Sequence, residues 1–435
     1  MMRACERLGV DAVVVVGQGV VDAGVARIPD GMTELFAENF TNPEAVLSAF
    51  LRAGLDQRRF AAVISASEYT MVVGALLAQY LGCRGLDVGV AVRYRDKGLQ
   101  KRLISAAGIP TADFLVINDI QQYENLPELI SSPMVLKPVA GVGTRLTTVV
   151  RDSGDLQAAA RRIAATSDQR TFLLETFTHG DEVIVDGVVR DGELVFHSMG
   201  YYPETCLSVV ERQAAMTYGR FDPVDDKDLF EEGAALATRV TGALGLVDGV
   251  FHLEAFRPGD GGPLVFGECA ARRGAAMHFE EVLWKFNVDL AEEAVRAALG
   301  WPPRLDVKVR PGAVGVTNLL APPGVLFSCP SVADITSRPG ALYARIEFPL
   351  GAAMRDHVPD AASRLGQVLV TADEPGQLVA RLAEIREWFA SQLVVAPAKM
   401  PDRVLRAWQS DTWPGSMVGD EYSYEPEETA REDTQ

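Results

Sequence analysis

The 435-residue sequence has few cysteines, no long apolar run and fewer basic than acidic residues. Five cysteines stand apart at positions 5, 83, 206, 269 and 329 without a Cys-x-x-Cys pair, which argues against a disulfide framework or a zinc site. The longest apolar stretches, such as Ala12–Val16, are far shorter than the ~20 residues that cross a membrane, and no signal peptide opens the chain. We therefore expect a cytoplasmic protein without a membrane partner.

The deficit of positive charge excludes another class of partner. The chain has 41 basic and 59 acidic residues, a formal net charge of −18, and would repel a nucleic-acid backbone. A third of that charge lies between Asp420 and the end, where seven acids accompany one base. We expect no nucleic-acid partner and predict that residues 396–435 are an acidic, disordered tail.

The first part of the chain alternates between strand and helix patterns. Ala12–Val16 and Phe60–Ser65 are short apolar runs typical of buried parallel strands, and Tyr69–Leu81 has helical periodicity that ends at Gly82. These patterns predict a small parallel α/β domain over residues 1–94. A helical pattern precedes the first visible strand, so we expect this domain to be shortened by its first strand.

The sequence pattern changes after the predicted helix Lys97–Ala107. Short strands joined by turns, including a hairpin turn at residues 190–192, predict an α+β region over residues 95–300. Within it, Phe286–Leu299 is predicted to be one helix. Residues 301–395 are predicted to be a C-terminal α+β region that ends in a helix from Gly376 to about Gln392.

The first chemical signal is a lysine at the end of a strand. Lys137 precedes a loop of small residues that contains Gly141, Gly143 and Thr144. Glycines let backbone N–H groups approach an anion, and a lysine adds charge for phosphate oxygens. The loop is neither a Walker A motif nor Gly-x-Gly-x-x-Gly, because position 146 is Leu. By itself, this pattern is more often a simple turn than a phosphate site.

The second signal is a pair of glutamates. Glu254 and Glu268 lie near the ends of two strand patterns joined by a turn, so an antiparallel hairpin can direct both side chains to one face. Two facing carboxylates suit Mg²⁺, whereas the alternative is a pair of solvated strand acids. Arg272 and Arg273 follow; they either neutralise the glutamates or receive the charge that develops on a phosphoryl group.

In this order and spacing, the motifs between Arg95 and Gly274 resemble the ATP-grasp superfamily, in which two α+β subdomains clamp ATP. Within it, the chain is similar to the bacterial L-amino-acid ligases and related carboxylate–amine ligases. The resemblance covers nearly the whole chain. It implies that the small ATP-grasp subdomain spans about residues 110–180.

The resemblance assigns roles to single residues. Lys97 and Lys137 would contact ATP phosphates, Glu175 and Phe177 would form the hinge at adenine, and Glu182 would bind the ribose hydroxyls. Further ATP contacts would come from the loop residues Gly141, Gly143 and Thr144. Glu254 and Glu268 would hold Mg²⁺, or Mn²⁺ in its place, and Arg272 and Arg273 would be catalytic. Substrate contacts are predicted at Glu68, Tyr201, Tyr202 and His278.

One departure from the family pattern concerns the metal. The family usually has Glu-x-Asn-x-Arg after the second metal glutamate, and here the Asn position is Ala270. Alanine cannot coordinate a cation, so the metal loses a ligand unless water or a glutamate replaces it.

The implied reaction is ATP-dependent formation of an amide or peptide bond through an acyl phosphate, with ADP and phosphate released and amino acids as the expected substrates. Family likeness also implies a homodimer and a role in specialised metabolism. Two alternatives stay open: a ligase with another acceptor, such as a carrier-protein thiol, an amine of a specialised metabolite or bicarbonate, and a non-catalytic nucleotide-binding protein. A nicotinamide dehydrogenase would rest on Gly17 and Gly19 alone.

Overall fold

The computed structural model describes residues 1–17, 28–29, 31–123, 126, 131–354 and 364–396. The predicted tail beyond Ala396 lies outside the described residues, as does Gly19. Among the described helices, none combines the length and apolar character that a membrane span needs. The domain boundaries at residues 95 and 301 stay predictions.

The leading segment is a small α/β unit. Its elements are α1 (Met2–Arg7), β1 (Val13–Val16), β2 (Thr33–Phe36), α2 (Pro43–Arg52), α3 (Met71–Leu81) and α4 (Val88–Arg95). Strands β1 and β2 are parallel, and a parallel bridge joins Ala62 to Arg84. Gly82 ends α3 in the left-handed conformation, as its position predicts.

In this segment one strand was not predicted, and one predicted strand was wrong. Strand β2 has no apolar run, because Leu35 alone of its four residues is buried. Conversely, Phe60–Ser65 forms no strand beyond the bridge at Ala62. Its Phe60 and Val63 pack against the cluster that contains Phe50 and Leu77, so the apolar run reflects burial rather than strand pairing.

A four-stranded antiparallel sheet follows helix α5 (Lys97–Ala106). Its order is β3-β6-β4-β5, and α6 (Ser153–Thr166) packs against it. The strands are β3 (Phe114–Ile117), β4 (Met134–Pro138), β5 (Thr148–Val150) and β6 (Phe172–Thr176). We call this the small sheet.

An eight-stranded sheet in the order β11-β10-β7-β8-β9-β12-β16-β14 forms the centre of the molecule, and we call it the large sheet. Its strands are β7 (Asp181–Arg190), β8 (Glu193–Tyr201), β9 (Thr217–Arg220), β10 (Gly249–Arg257), β11 (Val265–Ala270), β12 (Ala313–Leu319), β14 (Ala341–Ile346) and β16 (Gly366–Ala372). Helices that follow or connect these strands are α7 (Cys206–Glu211), α8 (Lys227–Leu244), α9 (His278–Phe286), α10 (Leu290–Leu299), α11 (Val332–Thr336) and α12 (Pro375–Gln392). A short sheet of β13 (Gly324–Ser328), β15 (Ala353–Met354) and β17 (Val394–Ala396) completes the described fold.

The predicted helix Phe286–Leu299 begins four residues too early, because Phe286 is the last residue of α9 and α10 begins at Leu290. Asn287 adopts the left-handed conformation with φ of 57° and ends α9. Asp289 then caps α10 by accepting from the N–H groups of Ala291 and Glu292. The apolar period continues across the break, because both helices bury one side, and this continuity concealed the break in the sequence.

Candidate active site

One face of the large sheet collects the acidic residues. Asp186, His252 and Glu254 lie on β7 and β10, and Glu254 is the register partner of Glu268 on β11. Residues two apart on a strand share a face, so Ala270 lies on the same side as Glu268. The predicted hairpin with two facing glutamates is therefore confirmed.

Lys97 joins the small sheet to the large sheet. It is the first residue of α5, which Asp96 caps by accepting from the Leu99 N–H. The Lys97 backbone N–H donates to the Val139 carbonyl at 2.8 Å, beside β4. Its ammonium lies 3.0 Å from Glu268 Oε2 and donates to the Gly141 carbonyl at 3.3 Å. This nearly buried cation therefore lies between β11, which carries Glu268, and the loop that contains Gly141.

Glu175 lies between two lysines. Its Oε1 is 2.5 Å from Lys137 Nζ, and its Oε2 is 3.1 Å from Lys101 Nζ. Although burial opposes the charged forms, the two ammonium groups lower the pKa of Glu175, and Glu175 with Glu268 raises the pKa of Lys137. Burial lowers the pKa of Lys101.

Sequence reasoning missed Lys101. The signal was available, because Lys101 follows Lys97 by four residues and therefore lies on the same side of α5. The Glu175 carboxylate is engaged by Lys101 and Lys137. Its predicted contact with adenine therefore stays a prediction. Phe177, the other hinge residue, packs edge-on against His179 with ring centroids 4.9 Å apart.

The donor set of Glu254 and Glu268 fits Mg²⁺. The two side chains are 25% and 28% exposed, so both oxygens remain accessible to a ligand. Burial favours the protonated form, but Lys97 and Lys137 lower the pKa of Glu268 to about 2 and keep it ionised. Among the described residues, no three acidic, histidine or cysteine side chains form a closed metal cage. Two carboxylates suit Mg²⁺, which takes its remaining ligands from water and substrate phosphates.

Glu182 is a buried carboxyl group at the start of β7. Its Oε2 accepts a hydrogen bond from the Cys206 backbone N–H at 2.8 Å. Burial and the nearby Glu254 raise the pKa of Glu182 to about 8. Glu182 therefore binds a proton at neutral pH, and its charge depends on what occupies the site beside Glu254.

Behind the glutamates lies a buried charge network that the sequence did not predict. Arg220 on β9 is 2.8 Å from Asp186 Oδ2 and 3.1 Å from Glu281 Oε2, and all three side chains are fully buried. Gly200 makes this approach feasible, because a Cβ there would lie 3.1 Å from the Arg220 guanidinium. Strand alternation alone does not reveal such a network, since its members come from β7, β9 and α9.

Two histidines connect this network to the front of the site. His252 Nδ1 is 2.8 Å from Asp186 Oδ1, and its Nε2 is 3.5 Å from Glu254 Oε1. Burial opposes its charge, but Asp186 and Glu254 raise the pKa of His252 to about 9. His278 behaves oppositely, because burial, His252 and Arg220 lower its pKa well below the usual value. His252 is thus a charged support for Glu254, and His278 is neutral.

The predicted substrate residues lie in three places. The Tyr202 hydroxyl is 3.2 Å from His278 Nε2, so these two lie together beside the network. Tyr201 instead packs on Phe221, with ring centroids 4.8 Å apart. Glu68 pairs with Arg272 and brings the leading segment to the end of β11.

Arg272 and Arg273 follow β11 and differ in their surroundings. Arg272 donates to the Arg273 carbonyl at 2.8 Å in addition to its pairing with Glu68. Arg273 is 3% exposed, donates to the Gly274 carbonyl and lies over the Phe279 ring at 5.1 Å. The packing therefore fixes both guanidinium groups, but only Arg272 is close enough to Glu268 to help lower the pKa of that carboxyl, whereas Arg273 lies against Phe279.

The loop after Lys137 has an unusual backbone. Gly143 and Thr144 have φ of 62° and 63°, and Leu146 has φ of 58°. Glycine adopts this region without strain, whereas threonine and leucine do so at a cost. Gly141 brings its carbonyl to Lys97 and to Arg95. The loop thus contacts Lys97 and Arg95 through a backbone carbonyl of its own, that of Gly141.

Comparison with known proteins agrees with this arrangement. The model of the ATP-grasp domain family matches residues 102–279. The L-arginine-specific L-amino acid ligase of Bacillus subtilis is 25% identical over 294 residues, which are 66% of this chain and 70% of that protein. The D-alanine–D-alanine ligase of Gloeobacter violaceus is 33% identical over 135 residues, 29% of this chain and 44% of that protein.

A solved structure is similar in fold. The structure of an L-amino acid ligase from Bacillus licheniformis matches with a TM-score of 0.70 and 17% identity, over 92% of this chain and 95% of that one. The predicted ATP-grasp fold is confirmed, and these relatives are ligases, in agreement with the predicted enzyme class. Residues 102–279 thus match the ATP-grasp domain family, in a chain that has the ATP-grasp fold and is similar to L-amino-acid ligases.

Proposed function

We propose that this protein is an ATP-dependent carboxylate–amine ligase that joins amino acids through an acyl phosphate and releases ADP and phosphate. The observation that carries the proposal is the convergence of Lys97, Lys137, Glu254, Glu268 and Arg272 at the junction of the two sheets. The L-amino acid ligase names of two relatives support amino acids as substrates.

Transfer of a phosphoryl group needs positioning and charge neutralisation rather than a protein nucleophile. Lys97 and Lys137 are the proposed donors to phosphate oxygens, and the Gly141–Thr144 loop lies next to Lys97. Glu182 is the proposed ribose ligand, with Glu175 and Phe177 at the adenine hinge. When bound to Glu254 and Glu268, Mg²⁺ would neutralise charge on the phosphates.

In the first step, a carboxylate oxygen of the substrate attacks the γ-phosphorus, and the bond to the β-phosphate oxygen breaks with release of ADP. In the second step, a neutral amine attacks the carbonyl carbon, phosphate leaves with the electron pair, and the amine nitrogen loses a proton. Arg272 next to Glu268 is placed to balance the charge of the transferring group.

The decisive experiment measures ADP release from ATP and Mg²⁺ with and without pooled amino acids, and identifies the products by mass spectrometry. A ligase forms ADP together with a dipeptide mass. The absence of ADP release with amino acids, other amines and carrier proteins would favour the non-catalytic alternative. A product on a carrier thiol or from bicarbonate would instead change the acceptor.

A substitution tests the metal assignment. Glu268→Gln removes one of the two facing carboxylates, and loss of one such electrostatic contact costs about 10²–10³ in turnover. The matched control is Glu231→Gln, which alters an exposed glutamate on α8 paired with Lys227. Turnover of Glu268→Gln equal to that of the control would contradict the role of Glu268.

A further inference from the structure

A cavity of about 390 Å³ lies where the leading α/β segment meets the large sheet. Its walls come from the chain at residues 63–66, from α3 and α10, and from the loop before β10. None of the residues predicted to bind ATP or the metal lines it. Small-molecule sites in proteins have volumes of roughly 300–1,000 Å³, so this cavity is large enough for a ligand the size of an amino acid.

The wall of the cavity is mostly apolar. Small residues on two helices, such as Gly74 on α3 and Ala294 and Ala298 on α10, leave the space open. Aliphatic side chains complete the lining: Val63, Ile64, Met71, Leu86, Leu246 and Val250. Such a wall favours an apolar group, since burial of apolar surface is favourable and an unpaired polar group in the same place is costly.

One end of the cavity reaches the proposed reaction centre. Arg272 and Arg273 line it, and Arg272 is close enough to Glu268 to help lower the pKa of that carboxyl. Glu68, which does not line the cavity, pairs with Arg272 and fixes its side chain. A carboxylate at this end would therefore lie beside two guanidinium groups and next to the glutamate pair.

The other wall carries a charge arrangement that selects against cations. Asp248 and Arg84 line the cavity, with Arg84 3.7 Å from Asp248 Oδ2. A second guanidinium, from Arg190, is 3.1 Å from Asp248 Oδ1. Two guanidinium groups thus share the Asp248 carboxylate, and Asp87, the other acid of the lining, already accepts from the Val90 N–H, so both acids already have partners when a cationic side chain enters the cavity.

We propose that this cavity is the side-chain pocket for an amino acid with a large apolar side chain, whose carboxylate lies at Arg272 and Arg273. This inference rests on the proposed function, because it names the substrate class of the same site. A side chain of the size of phenylalanine or leucine would extend between α3 and α10. L-Arginine would bind poorly.

The test measures binding separately from turnover. Isothermal titration calorimetry with L-phenylalanine, L-leucine, glycine and L-arginine is done on the whole protein with Mg²⁺ and a non-hydrolysable ATP analogue. We expect L-phenylalanine to bind at least tenfold more tightly than glycine or L-arginine. Equal affinities for all four amino acids, or no binding of L-phenylalanine, would overturn the proposal.

A cavity-filling variant locates the binding site. Ala298→Phe should weaken L-phenylalanine binding at least tenfold, and Ala298→Leu is the smaller second variant if the first melts at a much lower temperature. The control is Ala164→Phe, at a half-buried alanine on α6 away from the cavity, where the change should stay within twofold. Unchanged binding in both Ala298 variants would place the ligand elsewhere.

The outcomes separate the two proposals. Selective binding that Ala298→Phe abolishes supports the pocket even if no ADP is released, and that result would overturn the ligase function alone. ADP release that is equal with glycine, L-phenylalanine and L-arginine supports a ligase and overturns the pocket.

Discussion

Replacing Glu182 by glutamine should change how the stability of the protein depends on pH. Glu182 is 5% exposed, and burial with Glu254 raises its pKa to about 8. The native state therefore keeps this proton up to about pH 8, whereas the unfolded chain releases it near the ordinary value of 4.5. Between these values unfolding releases a proton, so stability is greatest at low pH and falls as pH rises.

The size of the effect follows from linkage. One proton released on unfolding lowers the free energy of unfolding by about 1.4 kcal/mol per pH unit. For a chain of this length, 1 kcal/mol corresponds to roughly 1–2 °C in melting temperature. Glu182→Gln cannot ionise. The melting temperature of the variant should therefore rise relative to wild type by about 1–3 °C for each pH unit between 5.5 and 7.5.

The assay is thermal unfolding followed by intrinsic fluorescence in one buffer series, with Glu231→Gln as the exposed control. Curves of wild type and Glu182→Gln that run parallel across the series would show that Glu182 is already ionised in the native protein, and the argument from burial would be refuted.

Three further predictions concern the buried charges and strand β11. Lys101→Met leaves Glu175 with Lys137 alone, and we expect a loss of about 3 kcal/mol in the free energy of unfolding and a raised KM for ATP, measured by denaturation and ADP release. Arg220→Met leaves the buried Asp186 and Glu281 without their guanidinium and should lower the free energy of unfolding by about 3–5 kcal/mol. Adding Glu281→Gln should restore part of that loss. A loss below about 1 kcal/mol for Arg220→Met would contradict the burial argument. Ala270→Asn adds an oxygen ligand on the face of Glu268 and should lower the Mg²⁺ concentration for half-maximal turnover at least threefold; an unchanged Mg²⁺ dependence would show that position 270 does not reach the metal.

The glutamate pair could be predicted from the sequence because strand alternation is local. Two apolar-flanked strands and one turn are enough to place Glu254 opposite Glu268. The helix period would likewise have placed Lys101 beside Lys97. By contrast, Phe60–Ser65 shows that an apolar run records burial and says nothing of whether a neighbouring strand is there to pair.

The network of Asp186, Arg220 and Glu281 could not be predicted by these rules. Its members come from β7, β9 and α9, and their contacts depend on the order of strands in the large sheet. That order places β9 next to β8 and β12, which are far apart in the chain. Charged residues on apolar strands indicate buried ion pairs, because such groups are rarely buried without partners. Which residues pair with each other could be known only from the fold.

The contact between Glu68 and Arg272 has a consequence for protein engineering. It joins the leading segment to the strand that carries Glu268, across more than two hundred positions in sequence. A chimera that takes residues 1–94 from a relative keeps this contact only if the relative has an acid at the position equivalent to 68. Recombination of such ligases for new products should therefore treat Glu68 and Arg272 as one inherited unit, even though they come from different parts of the gene.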